Sequence, residues 1–460
     1  MNADNQITKR IKNNSVYILF WILPKLFVFF EFKKIKNRRF VKTIQKVIKN
    51  TYFPTKKLLK FKDHTGVIHC VSFSFNGDYF ATGSSDSTCI IYAVNPYRSN
   101  FGQKIIQIHD HADAVNSVCF SKNNEYFASG GWDKTAFVYK INSIGPNSYS
   151  KDGLNRVKNT LYKNKNDDKK SPKKEIDEEI GENTIETKEN MNYSQDNQYK
   201  QDKHDNKDKP DKQEKQDTQD SLTIKQTPPF VDQILKYKDH NSTISAVIFS
   251  FDSDYFATGS WDKKAIIYGM NPLNQSTYGK QIFMFTDHTD GINSISFSAY
   301  DDYFATGSHD KRVIIYGVNP INKKEYGKIA FLFEDHTYLV TTVTFSLDNE
   351  FFASGSYDKS VIVYGINPNR PESFGKQILK FNDHTDGIIS LRFSMMDNYL
   401  ATGSWDKTTM IYQINPKTKE YVKKLINLHD NTDSISSVRF SYCRFYFATG
   451  SYDMTAIIYI

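Results

Sequence analysis

Cysteine is scarce in this chain, with four in 460 residues. Cys70, Cys89, Cys119 and Cys443 show no paired spacing and no C-x-x-C, so nothing points to a disulfide framework or a structural zinc site. Buried or incidental thiols in a reducing, cytoplasmic compartment are the expectation. The histidines fall about one per repeat, not in ligand-like clusters, and no cofactor or metal is called for. An unbroken apolar run of the 18–20 residues that a membrane span needs is also missing. No one-signed charge covers the chain either. The formal net charge of +8 is an average over unlike parts. Residues 1–62 carry 16 Lys/Arg against 2 Asp/Glu, a net of +14. Residues 145–226 come to −1, and the remainder to −5. A nucleic-acid-binding face needs a basic surface, and the mildly acidic remainder gives no support for one.

What the chain does have is one sentence written seven times. The clearest copy runs from Phe285 through Asp287-His288, then Tyr303-Phe-Ala-Thr-Gly-Ser-His-Asp-Lys-Arg312, then Val313 to Pro320. The opening Asp recurs as Asp63, Asp110, Asp239, Asp287, Asp335, Asp383 and Asp430. The step is 47 or 48 residues except for one long jump between Asp110 and Asp239. A repeat of this period with short strands reads as a propeller.

Each copy yields three strands and usually a fourth. In the fourth copy these are Ile292–Ser298 with alternating polarity, Tyr303–Ser308, and the continuously apolar Val313–Val318, a pattern suited to a strand covered on both faces. A turn at Asp310-Lys311 joins the second and third. Asn-Pro pairs such as Asn95-Pro96 and Asn367-Pro368 end the third strand, because proline cannot donate a ladder hydrogen bond. A fourth strand such as Lys280–Phe285 then leads to the next Asp-His.

These residues, from about 56 to 142 and 230 to 460, resemble the WD-repeat family of β-propellers. The resemblance implies an all-β, seven-bladed propeller in which each blade takes its outer strand from the start of the next repeat. The last copy stops after its third strand, so Lys57–Phe61 is expected to complete it and close the ring. Residues 1–50 are then dispensable for stability and residues 1–62 are not. The expected organisation is a basic, apolar arm at 1–55 and a propeller at 56–460, with a disordered insert at 145–226 inside blade two.

The resemblance also implies a hydrogen-bonded set in each blade. In the fourth copy it maps to His288, Thr306, Asp310 and Tyr316. The His and Asp positions elsewhere are His64 and Asp86, His111 and Asp133, His240 and Asp262, His336 and Asp358, His384 and Asp406, and Asp453. The chain departs from the family pattern three times. Asp replaces the Gly before His, Tyr replaces the third-strand Trp in all seven copies, and Asn431 stands where the seventh His belongs. A Tyr hydroxyl both donates and accepts, whereas a Trp N–H only donates, so a rewired network with a weak seventh blade is expected. A His–Asp pair that recurs in nearly every blade without a nucleophile reads as structure, not as catalysis, and the chain is read as non-enzymatic.

The residue before each turn Asp is Ser85, Trp132, Trp261, His309, Tyr357, Trp405 and Tyr452. The resemblance implies that this position lies on the top face, around the channel mouth. Rings there suit anchor positions for a protein or peptide partner, or stacking on its Arg side chains. The competing reading is that they fold onto neighbouring blades and cover the turns. Lys134, Lys263, Lys311, Lys359 and Lys407 follow the Asp. Small or polar first-strand residues (Ala114, Thr243, Gly291, Gly387, Ser434) are expected to leave room for a ligand.

Two segments lie outside the repeats. The insert is rich in Lys, Asp, Asn, Gln and Glu and too poor in apolar residues to offset its ordering entropy. It reads as a loop expansion, or as a tether or modification site, on the face opposite the rings. In the arm, Val16–Leu23 and Leu26–Phe30 are apolar but split by Pro24-Lys25 and flanked by Lys and Arg. It reads as an interfacial membrane anchor, a partner-binding segment, or translated sequence ahead of a later start. The leading expectation is a scaffold within a larger complex. A membrane-tethered adaptor is the alternative.

Overall fold

A computed structural model describes residues 56–142, 230–319, 326–395, 399–414, 422–442 and 446–460. The arm at 1–55, the insert at 145–226, Cys443 and the pair Asn415-Pro416 lie outside these residues. Every described element is a strand, and the strands form seven four-stranded antiparallel sheets. Blade four is typical, with Ile292–Phe297, Tyr303–Ser308, Val313–Gly317 and Ile329–Phe333 in spatial order. Strand limits agree with those expected from the repeat to about one residue. In blade two the third strand Ala136–Ile141 pairs with Val231–Tyr237 across the insert. Asn142 and Phe230, which bound the described residues on either side of the insert and share a 2.9 Å backbone hydrogen bond, lie at the end of the blade opposite the turn at Asp133.

Closure is achieved as expected. Lys57–Phe61 pairs antiparallel with Ala456–Tyr459 and is the outer strand of blade seven. Lys56 and Ile460 add reciprocal backbone hydrogen bonds, 3.2 and 2.9 Å. Lys57 Nζ meets Asp430 at 2.8 Å. A sheet closed this way exposes no long unpaired edge.

The core is divided into clusters between adjacent blades. One joins Leu58, Phe61 and Ile458 of blade seven to Val71, Phe80 and Tyr92 of blade one. Within it Phe61 stacks on Tyr92 with ring centroids 4.0 Å apart. The same outer-strand ring meets the next blade's third-strand tyrosine as Tyr237–Tyr268, Phe285–Tyr316 and Phe333–Tyr364, at 4.0, 4.0 and 3.9 Å. The second-strand glycine has a packing cause. A Cβ on Gly307 would lie 2.7 Å from Val340 and 2.8 Å from Val343 of the next blade.

The lower loops are laced together by residues in the left-handed region. Asn124, Ser253, Asp301 and Asn349 have φ from 54° to 68°. Each turns its side chain to accept backbone N–H groups of the preceding blade, as Asp301 does from Phe251 and Asp252 at 2.8 and 3.0 Å. Short polar side chains tolerate this backbone region because they bond locally.

Candidate partner-binding face

The upper turns are held by the expected polar set. In six blades a buried histidine bridges two partners. Its Nδ1 lies 2.7–3.0 Å from the turn aspartate. Its Nε2 lies 2.7–2.8 Å from the second-strand hydroxyl, Thr306 in blade four. With the carboxylate taking Nδ1–H, a neutral ring accepts the hydroxyl proton at Nε2. Asp310 also accepts from Thr289 N, Arg312 N and Arg312 Nη2 at 3.0, 3.0 and 2.9 Å. Burial alone would raise these carboxyls. The hydrogen bonds overcome it and hold all seven turn aspartates below the usual range. Burial, against the pull of Asp86, lowers His64.

Blade seven follows the same plan with weaker geometry. Asn431 Nδ2 reaches Asp453 at 3.3 Å, and Thr449 donates to Asn431 Oδ1 at 3.0 Å.

Tyr316, the aromatic of the fourth set, buries its hydroxyl beside Asp287 and Thr306. The equivalent Tyr139, Tyr268 and Tyr364 donate to Asp110, Asp239 and Asp335, each at 3.0 Å. The phenol reaches past the Thr or Ser of the set to the Asp that precedes the histidine. In these three blades the first two departures from the family pattern form one pairing.

Trp132, Trp261, His309, Tyr357, Trp405 and Tyr452 all sit on these turns, before the set's Asp. They form a chain of ring contacts. Tyr357 meets Trp405 at 6.1 Å and Trp405 meets Tyr452 at 4.9 Å. On the other side Trp132 meets Trp261 at 6.2 Å and Trp261 meets His309 at 5.9 Å. The two arcs are joined by a residue that the repeat pattern did not single out. His69, on the first strand of blade one, lies 6.1 Å from Trp132 and 6.0 Å from Tyr452. Blade one has Ser85 before its Asp, so it supplies its ring from another position. The signal was readable, since His69 is the one ring at a site filled elsewhere by Asn116, Ser245, Asn293, Thr341, Ile389 and Ser436.

Two expectations about this face change. The small first-strand residues do not leave free space. A Cβ on Gly291 would meet Trp261 at 3.1 Å, and one on Gly387 would meet Tyr357 at 3.1 Å. The rings of one blade lean on the next, and the glycines receive them. The lysines after the Asp hold a left-handed backbone with φ of 63–73°. Lys359 and Lys407 reach forward to the carbonyls of Thr385 and Thr432 at 2.8 and 3.4 Å. These two tie blade five to blade six and blade six to blade seven. The face nonetheless keeps open surface, with Trp132 and Trp261 42% and 39% exposed.

Cys70, Cys89 and Cys119 are free. Among the described residues, no three His, Cys, Asp or Glu side chains gather to hold a metal, and no helix is long and apolar enough to cross a membrane.

A comparison with curated proteins finds no match. The family profile described as "WD domain, G-beta repeat" matches residues 55–92, 102–140, 232–268, 279–317, 327–365, 375–413 and 422–459. Those segments run from each outer strand to the third strand of the following blade, the same overlap that closes the ring here. By profile and by topology, the chain belongs to the WD-repeat family, whose propellers typically serve as non-catalytic protein-interaction scaffolds.

Proposed function

We propose that this propeller is a scaffold that holds a protein or peptide partner on its ring-bearing face, as one component of a larger assembly. The observation that carries this reading is the crown of rings. Each of the seven blades contributes one ring, and the rings touch in one arc that runs from His309 through His69 to Tyr357. A ring that only covered a turn by folding onto the next blade would need no open face, whereas two of these indoles, Trp132 and Trp261, are well exposed. Exposed Asp113, Asp290 and Asp386 lie on the loops around it. Aromatic faces ringed by carboxylates favour a cationic side chain, so the partner segment presents Arg or Lys to the crown. In this reading the propeller begins at residue 56, and the 145–226 insert extends from the opposite face as a tether.

Intrinsic fluorescence tests this directly. The chain has four tryptophans, and only Trp21 lies outside the crown. In the full chain carrying Trp21→Phe, an Arg-containing peptide should quench emission to saturation, and its citrulline counterpart should not. Emission unchanged by both would make the rings turn covers.

A further inference from the structure

A second site lies at the other end of the central channel. A cavity of about 250 Å³ is lined by first strands of all seven blades. One register position per blade contributes Ser72, Cys119, Ile248, Ser296, Thr344, Arg392 and Arg439. Five of these are neutral and compact. The two arginines stand on adjacent blades and reach into the space the others leave. Because five blades fold without a cation here, the blade itself does not require one.

Among the described residues neither arginine has an anionic partner. Arg392 Nη1 donates to the carbonyls of Val343 and Leu391 at 3.2 and 3.0 Å, and Arg439 Nη1 donates to that of Val438 at 3.0 Å. No described carboxylate forms an ion pair with either, and no Asp or Glu among the described residues lines the cavity. Lys122 stands at the rim, with the Asp301 carboxylate near enough to favour its charge. Its Nζ is buried without a hydrogen bond, over the ring of Phe251. Burial works against the charge of both arginines, and for Arg392 so does Arg439. Arginine stays protonated regardless. Enclosed like charges that persist without a counter-charge are costly, and an anion between them removes that cost.

We propose that this end of the channel binds a phosphoryl group of a compact small molecule between Arg392 and Arg439. Two guanidinium forks match the oxygens of a dianion in bidentate fashion. Ser72, Ser296 and Thr344 line the same cavity, and the hydroxyls of Ser296 and Thr344, which donate to the carbonyls of Phe297 and Phe345 over a long 3.4 Å, turn to the anion when it binds. The cavity's size suits a free phosphate ester better than a peptide.

The test uses the full chain at constant ionic strength, with inorganic phosphate replacing chloride. The melting temperature should climb steadily with the logarithm of phosphate concentration, while acetate has no such effect. The Arg392→Met/Arg439→Met double variant should lose the response. Phosphorus NMR on the wild type adds a readout independent of the variant's folding: the inorganic phosphate resonance should broaden on adding protein. An unbroadened resonance, or a folded double variant that responds like wild type, overturns the proposal. A phosphoserine pentapeptide is the second arm, and binding of that peptide without binding of inorganic phosphate also overturns it.

Discussion

Tyr139 donates its phenolic hydroxyl to Asp110, 3.0 Å away, and so ties the third strand of blade two to the loop that enters that blade. The same bond recurs as Tyr268–Asp239 and Tyr364–Asp335. All seven copies carry both residues. In blade six the phenol turns instead to a sulfur, with Tyr412 donating to Met410 Sδ at 3.1 Å.

This pairing predicts coupling. Tyr268→Phe should cost about 1 kcal/mol, the usual net worth of one hydrogen bond. Asp239→Ala should cost a similar or smaller amount. The double variant should lose little beyond the larger single loss, because both changes break the same bond. Urea unfolding of the four proteins closes the cycle. Additive losses would mean that the two residues act separately.

Ring closure by Lys57–Phe61 predicts an abrupt truncation boundary. Deleting residues 1–50 should leave the melting temperature within a few degrees of the full chain. Deleting 1–62 removes the outer strand of blade seven and uncovers Tyr92, Ile458 and their neighbours. That protein should melt far lower or aggregate, since it exposes both an apolar cluster and an unpaired edge. Equal melting of the two truncations would contradict the closure.

Blade seven can be repaired. Histidine in the other blades spans its two partners at 2.7–3.0 Å, whereas Asn431 reaches Asp453 at 3.3 Å. Asn431→His should therefore raise stability by about 0.5–1 kcal/mol. The reverse change, His384→Asn, should lower it by about 0.5–1 kcal/mol, because Asn spans the same hydroxyl and carboxylate at longer distance. Thermal unfolding of both variants checks the pair of signs.

Acid should unfold the propeller through its turn aspartates. Their folded-state pKa values lie below the unfolded value of about 3.9. Their stabilisation is therefore complete above that value and is lost as pH falls toward the folded values. His64 and His69, lowered by burial, add a shallower loss that begins below 6.5. Unfolding free energy should drop steeply below about pH 4. Asp310→Asn should flatten that drop by about one proton. An unchanged slope would show that Asp310 titrates alike in both states.

Whatever the repeat encodes is legible in the sequence. Strand limits follow from one pattern read seven times, ring closure and the His–Asp–hydroxyl sets from the family that the pattern resembles, and the structure has the strands and the closure. What escaped depends on neighbours the period does not reveal. His69 became part of the crown only because blade one and blade seven adjoin. Gly291 looked like free space and is filled by Trp261 of the preceding blade. Arg392 and Arg439 each look ordinary alone, and gain meaning when register sets them side by side in the channel. The Tyr–Asp bond was foreshadowed by two departures from the family pattern, but which atom receives the phenol is decided by the packing of strand against loop.

The central claim is that the crown receives a partner. The most direct measurement is affinity capture from the native cell, comparing wild type with a Trp132→Ala/Trp261→Ala/Trp405→Ala variant of matched melting temperature. The account predicts that a defined set of partners is lost with the three indoles and competed away by an Arg-containing peptide. Identical partner lists from the two proteins would contradict it.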